Sequence, residues 1–478
     1  MITLLLILLP LLTGVLCFAS KDAAKPMALA GALATLGIAL WAILAVRNGQ
    51  SIDFSAPWIP MLGATVALHA DSTSIILTLL TAIVMLTVFI AQWNKDVERP
   101  HAFYGLMMLS AAGLMGVFLA YDALLFYMFW ELALIPVYFL CSQWGGEKRI
   151  AVTFKFFVYT FVGSLLMLAG LIYLSQKAGG NFSWNAITEA GALLGSKEQS
   201  GLFVLLFIAF AIKMPIFPFH TWQPDTYEQS PTPVTIVLSA LMVKMGLFAA
   251  MRWLLPTVPM GVAYWSDAVT MLCIIGIIYA SVIALTQTNL KRLIAYSSIA
   301  HMGLMATALF SGTAPSMQGL QIQMFTHGVI ITGLWLLVSF IENRYGTRNL
   351  NELGGMATTM PKMAIALVLL SFANVALPLT AGFTGEFMLF HGLFQSTSSY
   401  RVWFMVLAGL GIILGAAYTL RMVQKVAWGE PKTASIPGEI SMQDLTFNEW
   451  LGLALMIGLV LFFGFYPQPL LNLAALIS

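Results

Sequence analysis

Six ionisable side chains lie inside long apolar runs of the sequence: Glu131, Lys213, Lys244, His301, His327 and Glu386. A charge at the centre of a lipid bilayer costs at least about 2.5–3.5 kcal/mol, so such residues are rare there and usually serve a function. Carboxyl, amine and imidazole groups can each take up and release a proton, and histidine does so near neutral pH. Two Glu, two Lys and two His at one depth therefore predict a lateral relay for protons or ions.

Each of these residues also has a structural interpretation. A single buried His is often a hydrogen-bonded packing residue, and Glu131 with Lys213 could form a structural ion pair. The depth of the groups favours the relay. His301 lies ten residues after Lys291, which marks a span end. At 1.5 Å per residue this distance is about 15 Å, half of a bilayer core of roughly 30 Å.

The residue types suggest an order for the relay. A nearby carboxylate favours the charged form of a buried Lys, so moving Glu131 away would release the proton of Lys213. Lys244 and the two histidines would then carry protons across the interior to Glu386. This order is a hypothesis that follows from the chemistry of the groups.

The composition identifies the class of protein that must position these groups. Of the 478 residues, 60% are hydrophobic and 9% are charged, and the mean hydropathy is +0.89. Soluble domains carry about 25% charged residues, so a soluble enzyme, a disordered chain and a secreted disulfide scaffold are excluded. The net charge of +2 gives no sign of nucleic-acid binding. The sequence predicts an all-α polytopic membrane protein.

Long apolar runs predict about 14 transmembrane helices, since each helix needs about 20 apolar residues to cross the bilayer. The loops between them are too short to hold a soluble domain, so we expect residues 1–478 to form a single membrane domain. We divide it into spans 1–3, a first repeat, a second repeat and a final span, at residues 1–100, 101–255, 265–427 and 447–475.

Two of the predicted spans contain helix-breaking residues. Span 7 (200–228) includes AIKMPIFPFHTWQPD, and span 12 (362–395) includes NVALPLTAGFTGEF. Proline removes a backbone donor and clashes with the preceding turn, so both helices should break near the middle of the membrane; the alternative is a simple kink. The two broken helices are five spans apart, and because five is an odd number they cross the membrane in opposite directions. This arrangement predicts two inverted five-helix repeats, spans 4–8 and 9–13.

The basic residues predict the orientation. Alternate loops carry 14 Lys and Arg, Lys432 among them, on one side and five on the other. The positive-inside rule then places both termini on the periplasmic or equivalent side. We expect a bacterial plasma membrane rather than a mitochondrial inner membrane. His220, Asp225 and Glu228 follow the first break and are expected near the inner surface, as a capping or gate cluster.

Several segments resemble the antiporter-like membrane subunits of respiratory complex I, the NADH:quinone oxidoreductase. They read FWELALIPVYFL, KMPIFPFHTWQPD, SPTPVTIVLSALMVKMG, LKRLIAYSSIAHMG, QMFTHGVI and GFTGEF. The resemblance covers most of the chain. Within that family, Glu rather than Lys at position 386 favours the subunit M branch, called subunit 4 in mitochondria. The segment QPDTYEQSPTPV departs from the family pattern, which loosens any role for that loop.

The resemblance implies that the six residues form one proton channel, driven by quinone reduction elsewhere in the complex. The chain would be a non-redox subunit of a proton-translocating enzyme, working beside sister antiporter-like subunits and lipid. FMN, iron–sulfur clusters and quinone would be held by partner subunits, so no cofactor or metal is expected in this chain. The alternatives are a subunit of a multisubunit cation/proton antiporter, of a related membrane-bound hydrogenase or photosynthetic complex, or a non-conducting structural subunit.

Overall fold

The computed structural model describes residues 1–431 and 443–475, so Lys432 lies outside the described residues. These residues are mostly helical, with one antiparallel hairpin of strands Phe54–Ile59 and Ala64–Leu68 in the loop after the second helix. The helices are Ile2–Ala19, Ala24–Arg47, Ser72–Ala91, Pro100–Leu119, Ala123–Trp144, Arg149–Lys177, Trp184–Ala192, Ser196–Lys213, Gln223–Gln229, Thr232–Thr257, Pro259–Thr286, Leu290–Ser311, Ala314–Tyr345, Met356–Thr359, Pro361–Asn374, Ala381–Phe394, Arg401–Ala427, Phe447–Phe465 and Gln468–Ala475.

Within residues 1–431 and 443–475, 12 helices are long and apolar enough to cross a membrane. Predicted spans 7 and 12 are each divided into two shorter helices. The helical membrane architecture is confirmed. The total of 14 spans and the inverted repeats stay predictions.

The first broken span consists of helices Ser196–Lys213 and Gln223–Gln229. Its first helix ends on Lys213, directly before the segment that contains Pro215 and Pro218. Neither proline has an N–H to continue the helical ladder. The indole of Trp222 donates to the Ile212 carbonyl at 3.0 Å, which satisfies an acceptor freed at the helix end.

The second broken span consists of helices Pro361–Asn374 and Ala381–Phe394, with Pro378 between them. Ala376 and Leu379 adopt left-handed φ angles of 52° and 72°. Such angles are uncommon for residues other than glycine and turn the chain sharply. Both expected breaks are therefore present, and each lies beside an ionisable residue of the predicted relay.

Helix Ala314–Tyr345, which carries His327, lies at the centre of the molecule. It packs against helices Leu290–Ser311, Ser72–Ala91 and Phe447–Phe465 and against both parts of the second broken span. Its most apolar stretch is wholly buried inside the protein, whereas only 28% of the corresponding stretch is buried in helices Arg401–Ala427 and Phe447–Phe465. Polar groups on this helix therefore face other protein groups rather than lipid.

The helix Thr232–Thr257, which carries Lys244, is irregular on both sides of that residue. It is π-helical over Val237–Met242 and again over Ala250–Leu254. Wide turns of this kind leave backbone carbonyls open to other donors and often occur at functional sites.

A glycine allows the first broken span to pack directly against this helix. A Cβ added at Gly246 would lie 2.5 Å from Met214 Cγ and 2.8 Å from the Phe210 carbonyl oxygen. Any side chain here would push the two helices apart. The helix that carries Lys244 therefore packs against both the first broken span and the central helix Ala314–Tyr345.

Candidate functional site

Lys244 and His327 are in direct contact at the buried centre of the protein. Lys244 Nζ lies 2.8 Å from His327 Nδ1 and donates to the Ser239 carbonyl oxygen at 2.8 Å. Both side chains are almost fully buried. The Ser239 carbonyl belongs to the π-helical turn before Lys244, so the irregular helix supplies one of the amine's two partners.

His301 and Glu386 form the next contact. His301 Nε2 lies 3.5 Å from Glu386 Oε1 and 2.9 Å from the carbonyl oxygen of Asn374, the last residue before the second break. Its Nδ1 lies 2.8 Å from the Ser297 carbonyl oxygen. The second broken span therefore contributes two groups to one histidine, a carboxylate from its second helix and a carbonyl from its first.

The two contacts are joined through the histidine rings. The ring centroids of His301 and His327 are 5.3 Å apart at an interplanar angle of 45°. Gln323, one turn before His327, donates to Glu386 Oε1 at 3.5 Å and accepts from Thr326 at 3.1 Å. Four of the six predicted residues are thus brought together in one continuous polar cluster, Lys244, His327, His301 and Glu386.

Glu131 and Lys213 do not join this cluster. Lys213 Nζ and Glu131 Oε1 are buried and have no hydrogen-bond partner. The amine of Lys213 instead lies 5.6 Å from the centroid of the Trp130 ring and 5.9 Å from that of Phe156. A closed structural ion pair between Glu131 and Lys213, one of the alternatives from the sequence, is not what the structure shows.

A small cavity lies beside His301 and Glu386. Its volume is about 30 Å³, and Asn374 and Tyr418 are among its lining residues. A space of this size with several polar partners suits one water molecule. The cavity lies against helix Arg401–Ala427.

Three residues of the cluster's surroundings were not predicted from the sequence. Gln323 is four residues before His327, and this helical spacing is a signal that could have found it. Asn374 is the last polar residue before the break, which is a weaker signal. Tyr418, whose hydroxyl donates to the Ser297 hydroxyl at 2.9 Å, lies 121 residues away in sequence and carries no local signal.

The serine-rich segment before His301 places its three polar residues in three different environments. In the structure Ser297 contacts His301 directly, the Ser298 hydroxyl is buried without a partner, and the Tyr296 ring lies against Arg292. The rotation of the helix about its axis therefore brings only Ser297 of these three residues into contact with His301.

Asp225 and Glu228 form ion pairs that connect the two predicted repeats. Asp225 pairs with Lys155 at 2.9 Å and with Arg292 at 3.0 Å. Glu228 pairs with Arg292 at 3.0 Å and with Arg348 at 3.2 Å. These contacts fix the short helix after the first break against the second repeat.

His220, the third residue of the expected cluster, takes no part in these ion pairs. Its side chain is buried, its Nδ1 has no partner, and its ring packs against Phe217 and Tyr279. Two of the three residues therefore lie in one ionic network, and the histidine lies apart in an aromatic contact.

Comparison with known proteins shows which family has this architecture. Residues 120–415 match the family described as NADH:quinone oxidoreductase/Mrp antiporter, TM. NADH-quinone oxidoreductase subunit M of Escherichia coli K12 is 33% identical over 98% of this chain and 95% of its own length. The F(420)H(2) dehydrogenase subunit M of Methanosarcina mazei is 34% identical over the same shares. A chain of respiratory complex I from Thermus thermophilus superposes with a TM-score of 0.89 at 30% identity, covering 100% of both chains.

Proposed function

The chain belongs to the NADH:quinone oxidoreductase/Mrp antiporter family as an antiporter-like, multi-pass membrane subunit of NADH:quinone oxidoreductase, and from this premise we propose that it translocates protons through its buried polar cluster. The observation that carries the proposal is the run of contacts from Lys244 through His327 and His301 to Glu386. Buried ionisable groups in contact are the usual means by which membrane proteins move protons.

Each contact of the cluster suits a proton transfer. The 2.8 Å distance between Lys244 Nζ and His327 Nδ1 is a hydrogen-bond distance, so a proton can pass between amine and imidazole directly. The rings of His301 and His327 are farther apart and require a ring rotation or a bridging water. The 3.5 Å separation of His301 and Glu386 closes with a small side-chain movement.

In this proposal, the distance between Glu131 and Lys213 controls whether Lys213 holds a proton. The Lys213 amine lies among aromatic rings without a hydrogen-bond partner. An approaching Glu131 carboxylate would stabilise the ammonium form by direct attraction, which is strong where water is scarce. A conformational change that alters this separation would therefore load or unload the relay.

The redox chemistry belongs, in this proposal, to partner subunits. FMN, iron–sulfur clusters and quinone would be bound there, and sister antiporter-like subunits would lie beside this chain in the membrane. The Methanosarcina mazei relative is named for a different electron donor, F(420)H(2). We also propose that both termini lie on the periplasmic side, from the bias of basic residues.

The test uses the assembled complex in sealed vesicles. Lys244→Met keeps much of the side-chain volume and removes the amine, so we expect the number of protons translocated per electron to fall while the complex still assembles. Lys148→Met, at an exposed position, is the matched control and should leave this number unchanged. Unaltered translocation in the Lys244→Met complex would contradict the proposal.

A second candidate is a subunit of a cation/proton antiporter without redox coupling, because the matching family includes such antiporters. The purified complex separates the two functions. Flavin and iron–sulfur absorbance that co-purifies with the chain supports redox coupling. Sodium-dependent proton movement without electron donors supports the antiporter.

A further inference from the structure

We propose that Asn374, Ser297 and Tyr418 are positioning residues that hold His301 as the resting site of the translocated proton. This inference rests on the proposed proton relay and names the group at which its proton waits. The evidence for it is that the two neighbouring histidine rings have different hydrogen-bond partners.

Both ring nitrogens of His301 face groups that can only accept hydrogen bonds. Nδ1 lies 2.8 Å from the Ser297 carbonyl oxygen, and Nε2 lies 2.9 Å from the Asn374 carbonyl oxygen. A neutral imidazole has one N–H and one lone pair, so one of these contacts would set a lone pair against a carbonyl oxygen. Only the doubly protonated ring satisfies both, and Glu386 supplies a counter-charge 3.5 Å away.

His327 has the opposite arrangement. Its Nδ1 faces Lys244 Nζ, and this amine carries hydrogens that it can donate in either protonation state. Nδ1 of His327 can then accept, and its Nε2 has no partner in the structure. The contacts therefore fit a neutral His327 beside a cationic His301, which locates the resting proton on His301.

The second break makes the Asn374 carbonyl available. In an unbroken helix this carbonyl would accept from the N–H of the residue four positions later, and that residue is Pro378, which has no N–H. The freed oxygen points to His301 instead. The break is thus the source of one of the two acceptors.

A clamp of side chains holds the two acceptors in place. Asn374 Nδ2 donates to the Ser297 hydroxyl at 3.1 Å, and the Tyr418 hydroxyl donates to the same oxygen at 2.9 Å. Ser297 and Asn374 each offer a backbone carbonyl to His301, so the clamp fixes the separation between those carbonyls. Tying three helices together in this way orients the ring as outer partners orient a metal-bound histidine.

Titratable groups lie around His301 on several of the neighbouring helices. Glu386 and His327 face it directly, Lys244 lies behind His327, and Tyr418 lines the neighbouring cavity. From helix Pro259–Thr286 the cavity is lined by the apolar Ile277. Glu386 is therefore the group placed to receive the proton.

The transfer step is a simple proton exchange. The Nε2–H bond of His301 breaks, an O–H bond forms on Glu386 Oε1, and a cationic ring with a carboxylate becomes a neutral ring with a neutral carboxyl. For this step Nε2 must leave the Asn374 carbonyl for the carboxylate. The proposed clamp opposes that movement, so it sets how firmly the proton is held.

The test compares two adjacent serines in the intact complex. Ser297→Ala removes the oxygen that receives both clamp bonds, and Ser298→Ala removes a buried hydroxyl that has no partner. Proton translocation per electron is measured against pH in sealed vesicles. With the clamp lost, Nε2 of His301 leaves the Asn374 carbonyl more easily and passes its proton on more readily, so the alkaline limb of the Ser297→Ala profile should move down by roughly 0.5–1 pH unit. Ser298→Ala should keep the parent profile.

Tyr418→Phe is the second variant, because it removes one clamp bond and preserves the packing of the ring. It should move the alkaline limb in the same direction by a smaller amount. Identical profiles for Ser297→Ala, Tyr418→Phe and Ser298→Ala would overturn the positioning proposal.

Glu386→Gln separates this failure from failure of the relay. If Glu386→Gln blocks translocation while the three profiles coincide, the relay stands and the positioning role is wrong. If Glu386→Gln translocates normally, the proposed function itself is wrong.

Discussion

The two broken spans hold their ionisable residues in opposite ways. At the first break Lys213 is the last residue of its helix, its amine has no hydrogen-bond partner, and aromatic rings surround it. At the second break Glu386 lies inside the following helix and contacts His301 and Gln323. One break therefore holds an isolated basic group, and the other holds a carboxylate within a hydrogen-bonded cluster.

This difference shows how one architecture can serve two tasks. An isolated amine responds strongly to any charge that approaches, because little else in its surroundings stabilises either form. A carboxylate with fixed donors responds less and stays in place. The first break is suited to sense a change elsewhere in the complex, and the second is suited to keep and pass on a proton.

The largest expected effect comes from freezing the charge at the first break. Arginine is always protonated, so Lys213→Arg keeps a positive charge that cannot be released. If Lys213 must lose its proton in each cycle, coupled proton translocation should fall by at least about tenfold, as for loss of an acid–base group. The measurement is the initial rate of vesicle acidification, with the exposed Lys148→Arg as control.

Retention of translocation in Lys213→Arg would show that Lys213 is only a static charge. The two breaks would then not differ in the way described above. Lys213→Met should be as inactive as Lys213→Arg, since it lacks the group altogether.

The second effect concerns stability and should have opposite signs at the two breaks. Lys213→Met replaces an unpartnered buried amine by an apolar side chain of similar volume, which is neutral or stabilising. Glu386→Leu removes the ion-pair partner of the His301 ring and the acceptor of the Gln323 amide, and this should cost about 2–4 kcal/mol. The midpoint temperature for loss of the chain from the detergent-solubilised complex should rise or stay constant in the first case and fall in the second. A fall of equal size in both variants would remove the contrast.

The features that could be predicted from the sequence are those with local causes. A run of apolar residues specifies a membrane helix by its own length, and the prolines of KMPIFP and NVALP interrupt a helix wherever it packs. For this reason the helical membrane architecture and the sites of both breaks were predicted correctly. The six relay residues also follow from local evidence, since each is an ionisable group within an apolar run, and their joint role stays a prediction.

The contacts between helices could not be predicted, because they depend on how each helix is rotated about its axis. Ser297 and Ser298 are adjacent in the same apolar helix, yet only Ser297 contacts Asn374, which is 77 residues away in sequence. In the same way nothing in FWE or KMP indicates that Lys213 would lie against Trp130 rather than bind Glu131. The depth of a residue in the membrane can be counted along its helix, whereas the residue that faces it from another helix cannot be predicted in this way.

A smaller effect is expected from the glycines at the contact between each broken span and a neighbouring helix. Gly246→Ala would bring its Cβ to 2.5 Å from Met214 Cγ and 2.8 Å from the Phe210 carbonyl, so the first broken span must move and stability should fall by about 1–3 kcal/mol. Gly385→Ala would bring its Cβ closest to Gln323 Oε1, the far end of a flexible side chain, with Gln323 Cα and Cβ at 3.1 Å, and should cost less because that side chain can turn away. Hydrogen exchange at Phe210–Met214 should increase only in Gly246→Ala. An equal increase there in both variants would show that the breaks are mechanically coupled.

The smallest expected effect comes from the difference in backbone conformation between the two breaks. Among described residues other than glycine, left-handed φ angles occur at Arg99, Ala376 and Leu379, so the second break has two and the first has none. Ala376→Gly relieves a strained φ angle but gains entropy in the unfolded chain, and the two terms nearly cancel to within about 0.5 kcal/mol. Ala211→Gly, in the regular helix before the first break, has no strain to relieve and should lower stability by about 1 kcal/mol. The same midpoint measurement compares them. If Ala376→Gly destabilised the complex as much as Ala211→Gly, the turn of the second break would carry no strain at Ala376, and the contrast between the breaks would rest on their side chains alone.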